Sequence, residues 1–559
     1  MCPLEESDLH LQVRSLMCCP LYQGDVRRAG VSPREQISTK FGAHSELLAF
    51  SVQLNIMRFN VPQEVQAIAN DLTKKKFQAY LVGGCVRDLL MGRVPKDWDI
   101  ATNANPGEVQ RLFPESVYEN AFGTVGVKTG SENDSLKIIE VTTFRLEGKY
   151  SDKRHPDEIT FAKTIEEDLS RRDFTINAIA LSLTNDQRLM TDDSHKSSVV
   201  SHGLGIVDPY GGEKDMKKKT LRTVGTPEER FEEDALRLMR AVRLATELGF
   251  TIDTGTEFAI RKHAGLLEMI AKERVRDELI KILMNHNAGH GMRVLQELHV
   301  LPYSIPELQE GVGVGQNKHH IYTVFEHSIR ALEYAVKEGS SLLVRVASLL
   351  HDVGKPRSKR GEGPDSTFYN HEVIGAELTA EILERLHFPK DFIEKAAHLV
   401  RSHMFYYNVD EVSPAGVRRF LARVGPENVD DLMKVREADR IGSGVPKAAP
   451  YKLRHLLFMI EKVKKDPISP KMLKINGADL MRALGINPGP RIGYILSILL
   501  EEVIDDPEKN NRAHLERRAQ KLNEYTDGEL KKLAAKAEET KEEFEIGIEE
   551  EIKRKYSVK

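Results

Sequence analysis

Cysteine is scarce in this chain. Only Cys2, Cys18, Cys19 and Cys85 occur in 559 residues, and none stands at a zinc-like spacing. A disulfide framework and a zinc knuckle are therefore excluded, and a reducing cytoplasm is the expected compartment. No apolar run reaches the ~18 residues a membrane-spanning helix needs, so no membrane contact is expected. A basic excess is missing too, with a net charge of -4 and a pI near 6.6. Proteins that coat nucleic acid without specificity are basic, so any RNA binding here must rest on a locally segregated positive face. Residues 1–56 show no sustained period and no signal-peptide core, and are expected to be a poorly ordered leader.

What is present begins with LVGGCVRDLLMGRVPKDWDIAT, Leu81 to Thr102. An apolar run closed by Gly83-Gly84, a helix-like VRDLLMG and a second run holding Asp97 and Asp99 read as strand, glycine turn, helix, strand. Residues two apart on a strand point the same way, so Asp97 and Asp99 are placed to share a divalent cation. Glycines let backbone N–H groups approach a phosphate closely. Hard oxygen ligands beside such a cradle suit Mg2+.

Further along, NPGEVQRLF reads as a helix, and NAFGTVGVKTG with LKIIEVTTFR as a β-hairpin. The hairpin's Glu140 stands in an apolar context, where a buried carboxylate demands a metal or a basic partner. RLEGKYSDKRHP, residues 145–156, reads as a loop, and RRDFTINAIAL, Arg171 to Leu181, as a helix with a charged start. Arg171 and Arg172 suit a triphosphate, and Asp173 or Asn177 a ribose hydroxyl. After a turn-rich IVDPYGGEKDM the chain reads as helical, with Phe231, Leu236, Met239, Val242 and Leu244 as core residues. Glu233, Asp234 and Arg237 fall in that stretch, with Asp234 and Arg237 neighbours on one helix face.

These motifs, in this order, resemble the class II tRNA nucleotidyltransferases and bacterial poly(A) polymerases of the polymerase-beta-like superfamily. The resemblance implies an α+β chain: a small mixed-sheet head followed by all-α neck, HD and tail regions. It divides the chain into the leader 1–56, a nucleotidyltransferase head 57–205, a neck 206–310, an HD domain 311–450 and a helical, tRNA-binding tail 451–559. It makes Asp97, Asp99 and Glu140 the catalytic acidic set, with Mg2+ on Asp97 and Asp99. Nucleotide binding then falls to Gly83, Gly84, Arg87, Arg171, Arg172, Asp173 and Asn177, and to the EDxxR residues Glu233, Asp234 and Arg237. His327, His351-Asp352, His371, His403 and Asp439 follow the order of the HD phosphohydrolases. Imidazoles with carboxylates suit a transition metal, Mn, Ni, Fe or Zn, and imply hydrolysis of phosphate esters at RNA 3' ends.

The implied partners are tRNA, CTP and ATP. A carboxylate acceptor beside a guanidinium donor complements the amino and ring-nitrogen edge shared by cytosine and adenine, and mismatches guanine and uracil. Template-independent addition of CCA to tRNA 3' ends is therefore the expected activity. Poly(A) synthesis and A-only addition are the alternatives, although AFGTVGV stands where the poly(A) polymerases carry a basic GRRF-like strand. A third reading makes the HD part the enzyme and the head an RNA holder, which the intact acidic residues oppose.

Overall fold

The structure, a computed structural model, describes residues 59–118, 123–148, 159–183, 200–201, 205–317, 321–409, 411–463 and 469–535. The leader 1–56, most of the loop 145–156 and the segment after 535 lie outside the described residues. The described chain forms two compact units, one up to Leu146 and over Ile159–Glu213, the other from Lys214 onward.

The first unit is built on one sheet. Its strands are β1 (Ala79–Val82), β2 (Asp99–Thr102), β3 (Ser116–Tyr118), β4 (Thr124–Lys128) and β5 (Ile138–Thr143). A short β6 (Arg145–Glu147) pairs only with β7 (Ile159–Phe161), and β8 (Ala180–Ser182), β9 (Val200–Ser201) and β10 (Ile206–Val207) complete the set. The main sheet runs β3-β4-β5-β2-β1-β8-β10-β9, with β2 and β5 parallel and the other pairs antiparallel. The expected hairpin is the β4–β5 pair. All four residues of β1 are buried, which is why its apolar run does not alternate. The helix Pro106–Leu112 starts where expected, with Asn105 and Glu108 forming a capping box.

RRDFTINAIAL departs from expectation. It forms a 3-10 turn, Thr175–Asn177, and then β8, a central strand between β1 and β10. A short, fully buried strand has an apolar run that periodicity cannot tell from a buried helix.

Among the described residues from Lys214 onward, the second unit is helical apart from the two-residue pair Thr220–Leu221 and Thr251–Ile252 and a single bridge between Arg360 and Thr367. Phe231, Leu236, Met239, Val242 and Leu244 are all buried, as their spacing implied. PEERFEEDALRLMRAV is broken, however, into helices Pro227–Glu233 and Leu236–Leu248. Helix Tyr451–Val463 packs into the same core as Val344, Leu399, Phe420 and Leu432, whereas Leu473 to Ala534 build a separate core. No described helix is long and apolar enough to cross a membrane.

Gly212 opens the helix that follows β10, hard against the 3-10 turn. A Cβ there would meet the Thr175 carbonyl oxygen and lie 2.8 Å from Ile179 Cδ1. Gly212→Ala is therefore expected to destabilise the first unit by about 1–3 kcal/mol through overpacking, read as a lower urea midpoint; an unchanged midpoint would contradict this close approach.

Candidate active site and metal centre

In the first unit the site is set by register. β2 and β5 run parallel with Asp99 opposite Glu140, and residues in register on neighbouring strands project to the same face. Asp97 stands in the bend before β2 rather than on the strand, and is exposed. Glu140 is also exposed, not buried: β5 alternates here, turning Ile139 and Val141 inward. Burial raises the pKa of Asp99; the Arg172 guanidinium opposes this and the Asp97 charge adds to it. Among the described residues, Asp97, Asp99 and Glu140 do not form a group whose ligand atoms all lie within 4.8 Å of one another.

Gly83 joins β1 to helix Gly84–Leu90 at φ 77°, a left-handed conformation that glycine adopts without strain. A Cβ on it would stand 2.9 Å from Arg172 Nη1 and 3.4 Å from Asp99 Oδ2, so the turn brings bare backbone against both groups. Arg87 donates to Asp88 Oδ1 at 2.8 and 2.9 Å and to Asn177 Oδ1 at 3.0 Å. Asn177 Nδ2 in turn donates to Asp173 Oδ1 at 3.2 Å, and both residues are buried.

The residue that sequence reasoning missed is Asp168. It is fully buried, and its two oxygens hold Arg171 at 2.9 Å and Arg172 at 3.3 Å. Burial alone would raise its pKa, but the two guanidinium groups outweigh burial and, with the Arg145 N–H, hold it below the usual carboxylate range. Thr164 and Glu167 close a capping box on helix Ile165–Ser170, which fixes Asp168 on the turn before the arginines.

The EDxxR segment is also built differently from expectation. Asp234 terminates the first helix with extended dihedrals, φ -135° and ψ 104°, so it does not share a helix face with Arg237. Its carboxylate accepts from the Leu236 N–H at 3.0 Å and from Arg274 Nη2 at 2.9 Å. Arg237 donates instead to Glu233 Oε2 at 2.6 Å and to the Arg230 carbonyl at 3.2 Å. An aspartate prefers capping an N-terminus to continuing a helix interior, which is why the chain breaks there.

The second cluster closes tightly. His327 Nε2 lies 3.0 Å from Asp352 Oδ2 and 3.3 Å from Asp439 Oδ1, and His351 Nε2 lies 3.2 and 3.5 Å from the same atoms. His371 and His403 Nε2 approach the other oxygen, Asp352 Oδ1, at 3.3 and 3.8 Å. All six residues are buried. His351, His371 and His403 turn Nδ1 to the carbonyls of Ser348, Phe368 and Val400 at 2.7–2.8 Å. This second layer aims each Nε2 at the centre, the usual orientation of a metal-ligating imidazole. Two groups result whose ligand atoms lie within 4.8 Å of one another: His327, His351, Asp352 and Asp439, and Asp352, His371 and His403. Lys355, which follows the His-Asp dipeptide in the HD pattern, sits 2.6 Å from Asp352 Oδ2 and donates to Gln316 at 2.7 Å.

Burial alone would depress His351, yet Asp352 and Asp439 outweigh it and its pKa is pushed up to about 10. His403 is held well below its ordinary value by burial and by the charge of His351 and His371. Burial works against ionised Asp352 and Asp439, but His351 and Lys355 on the first and Arg436 on the second keep both pKa values well below normal. Imidazole nitrogens aimed at one centre and two ionised carboxylates fit a divalent metal.

Residues 79–222 match the Poly A polymerase head domain, 249–311 the probable RNA and SrmB-binding site of polymerase A, and 324–442 the HD domain. An A-adding tRNA nucleotidyltransferase of Deinococcus radiodurans is 36% identical over 437 residues, which is 76% of this chain and 91% of that protein. The chain belongs to the tRNA nucleotidyltransferase family. A CCA-adding enzyme of Lactiplantibacillus plantarum is 31% identical over 459 residues, 79% of this chain and 93% of that one. The crystal structure of the Bacillus stearothermophilus CCA-adding enzyme in complex with CTP is 28% identical, with a TM-score of 0.58 over 83% of this chain and 97% of that chain. As a tRNA nucleotidyltransferase the chain is an enzyme of nucleotidyl transfer with an HD domain, and both families are metal-dependent.

Asp168 has a depressed folded-state pKa, so its stabilisation is present above the unfolded value of about 3.9 and is lost as pH falls through the folded value. Asp168→Asn is expected to cost about 3 kcal/mol at neutral pH, with the gap to the parent closing as pH falls below about 4. Thermal unfolding across pH checks this, and a pH-independent gap would contradict the ion-pair assignment.

Proposed function

We propose that this tRNA nucleotidyltransferase adds CCA to the 3' end of tRNA from CTP and ATP without a nucleic-acid template. The observation that carries the reading is the register of Asp99 with Glu140, set beside the Gly83 turn and the Arg172 guanidinium. Asp97 and Asp99 hold Mg2+ and Glu140 completes the acidic set; hard carboxylate oxygens suit this cation. Bound there, Mg2+ supplies charge neutralisation for phosphoryl transfer. Gly83 and Gly84 present backbone to the triphosphate, Arg87, Arg171 and Arg172 take its charge, and Asp173 and Asn177 take the ribose.

Base selection rests with Glu233, Asp234 and Arg237, but not as a simple neighbouring pair. Arg274 and the Leu236 N–H fix the Asp234 carboxylate, and Glu233 fixes Arg237, so acceptor and donor are each anchored separately. The CCA reading is supported by the Lactiplantibacillus relative, which is named for it. The Deinococcus relative is named for A addition alone, and this favours A-only addition as the second reading.

The HD cluster is read as a metal-dependent phosphohydrolase acting on RNA 3' ends. Asp352 would be shared between two metal positions, one held with His327, His351 and Asp439 and the other with His371 and His403. Imidazole-rich donors favour Mn, Ni, Fe or Zn, and such metals supply Lewis acidity and a more acidic water. Imidazole ligates a metal only when its nitrogen is unprotonated, so occupancy would weaken as pH falls.

The test is incorporation of each labelled nucleoside triphosphate, singly, into tRNA ending before C, after C and after CC. CCA addition predicts C, C and A; A incorporated only after CC, with no C at earlier ends, establishes the A-only reading. In the same assay Arg274→Ala and Asp234→Ala are expected to relax the preference over G and U together, by about tenfold, because both loosen the same acceptor. Parent-like selectivity in both would contradict base reading by Asp234.

A further inference from the structure

Four aromatic rings that belong to neither cluster form a row on the surface of the helical unit. Helix Tyr451–Val463 turns Leu453, Leu456, Ile460 and Val463 into the core. Its opposite face carries Tyr451, His455 and Phe458, the i, i+4, i+7 spacing of one helical stripe. Ring centroids lie 5.9 Å apart for Tyr451 and His455 and 6.0 Å for His455 and Phe458, and Tyr407 joins the row 6.0 Å from His455. A 2.6 Å hydrogen bond between Tyr407 Oη and His455 Nδ1 fixes the middle of the row. The outer rings face solvent, Tyr451 63% and Phe458 62% exposed. Lys462 continues the stripe one turn beyond Phe458, Lys452 and Arg454 flank it, and all three are exposed; Glu461 is the one acidic residue of this helix.

We propose that this stripe is a stacking platform for the unpaired bases of single-stranded RNA, with Lys462, Arg454 and Lys452 on the phosphates. Aromatic faces accept any base, and a row of them edged by cations is the arrangement by which single strands are held without sequence readout. The cationic edge complements a polyanion, and the aromatic row complements its bases. Tyr407 follows His403 of the metal cluster by four residues, a span of at most about 14 Å of chain. A strand on the Tyr407 end of the stripe is thus within chain reach of that cluster, and the proposal deepens the HD reading by naming single-stranded RNA as its substrate class; for that substrate role, though not for the binding itself, it rests on that reading.

The test is binding of a short oligouridylate to the full-length protein by fluorescence anisotropy over a range of salt. Tyr451→Ala and Phe458→Ala are each expected to weaken binding about tenfold with the salt slope unchanged, while Tyr451→Trp and Phe458→Trp retain it. Lys462→Ala is expected to reduce the slope of log K against log salt by about 0.7, one phosphate contact. Parent affinity in the Tyr451→Ala/Phe458→Ala double variant would overturn the proposal, as would unchanged RNA binding accompanied by loss of a dimer in sedimentation, which marks a self-association face. Binding intact in a parent protein devoid of phosphoesterase activity would remove the HD reading and leave the platform standing.

Discussion

Buried carboxylates must be matched by cations, and this requirement shapes both sites. Removing a carboxylate from water costs several kcal/mol unless hydrogen bonds and opposite charge repay it. Asp168 meets the demand with Arg171 and Arg172. Asp352 meets it with the imidazoles and Lys355, and Asp439 with the imidazoles and Arg436. In each case the compensation also fixes side chains that would otherwise sample many rotamers. In the proposed reading the two arginines are held before any phosphate arrives, and the imidazoles are aimed before any metal does, so less ordering is left to the moment of binding.

The two sites use opposite donor chemistry for related tasks. The first offers carboxylate oxygens on strands β2 and β5 at a glycine turn, a setting for a hard cation and a triphosphate. The second offers four imidazoles around a shared carboxylate, a setting for softer divalent metals. Neither donor set borrows a residue from the other, which is the physical basis for expecting two separable activities in one chain.

Much of this was legible in the sequence, and the failures have definite causes. Strand, glycine turn, helix and strand from Leu81 to Thr102 were readable because glycine and apolar runs punctuate strongly, and the HD positions because their order is distinctive. RRDFTINAIAL was misread because a buried strand and a buried helix look alike over a few apolar residues. Glu140 was expected to be buried from its apolar neighbours, but strand alternation turns it outward. Asp234 was placed inside a helix that it in fact ends. Asp168 and Arg274 carried no motif at all: they pair with residues whose proximity only the fold creates, although the acidic EED run just before Arg171 and Arg172 was a signal for the first.

The most direct test is to assay Asp99→Ala and His351→Ala side by side for nucleotide incorporation into tRNA lacking its 3' end and for metal-dependent hydrolysis of a 2',3'-cyclic phosphate. The account predicts that Asp99→Ala loses incorporation by orders of magnitude and keeps hydrolysis, and that His351→Ala does the reverse. Near-parent incorporation by a folded Asp99→Ala protein, or joint loss of both activities in a folded His351→Ala protein, would contradict it.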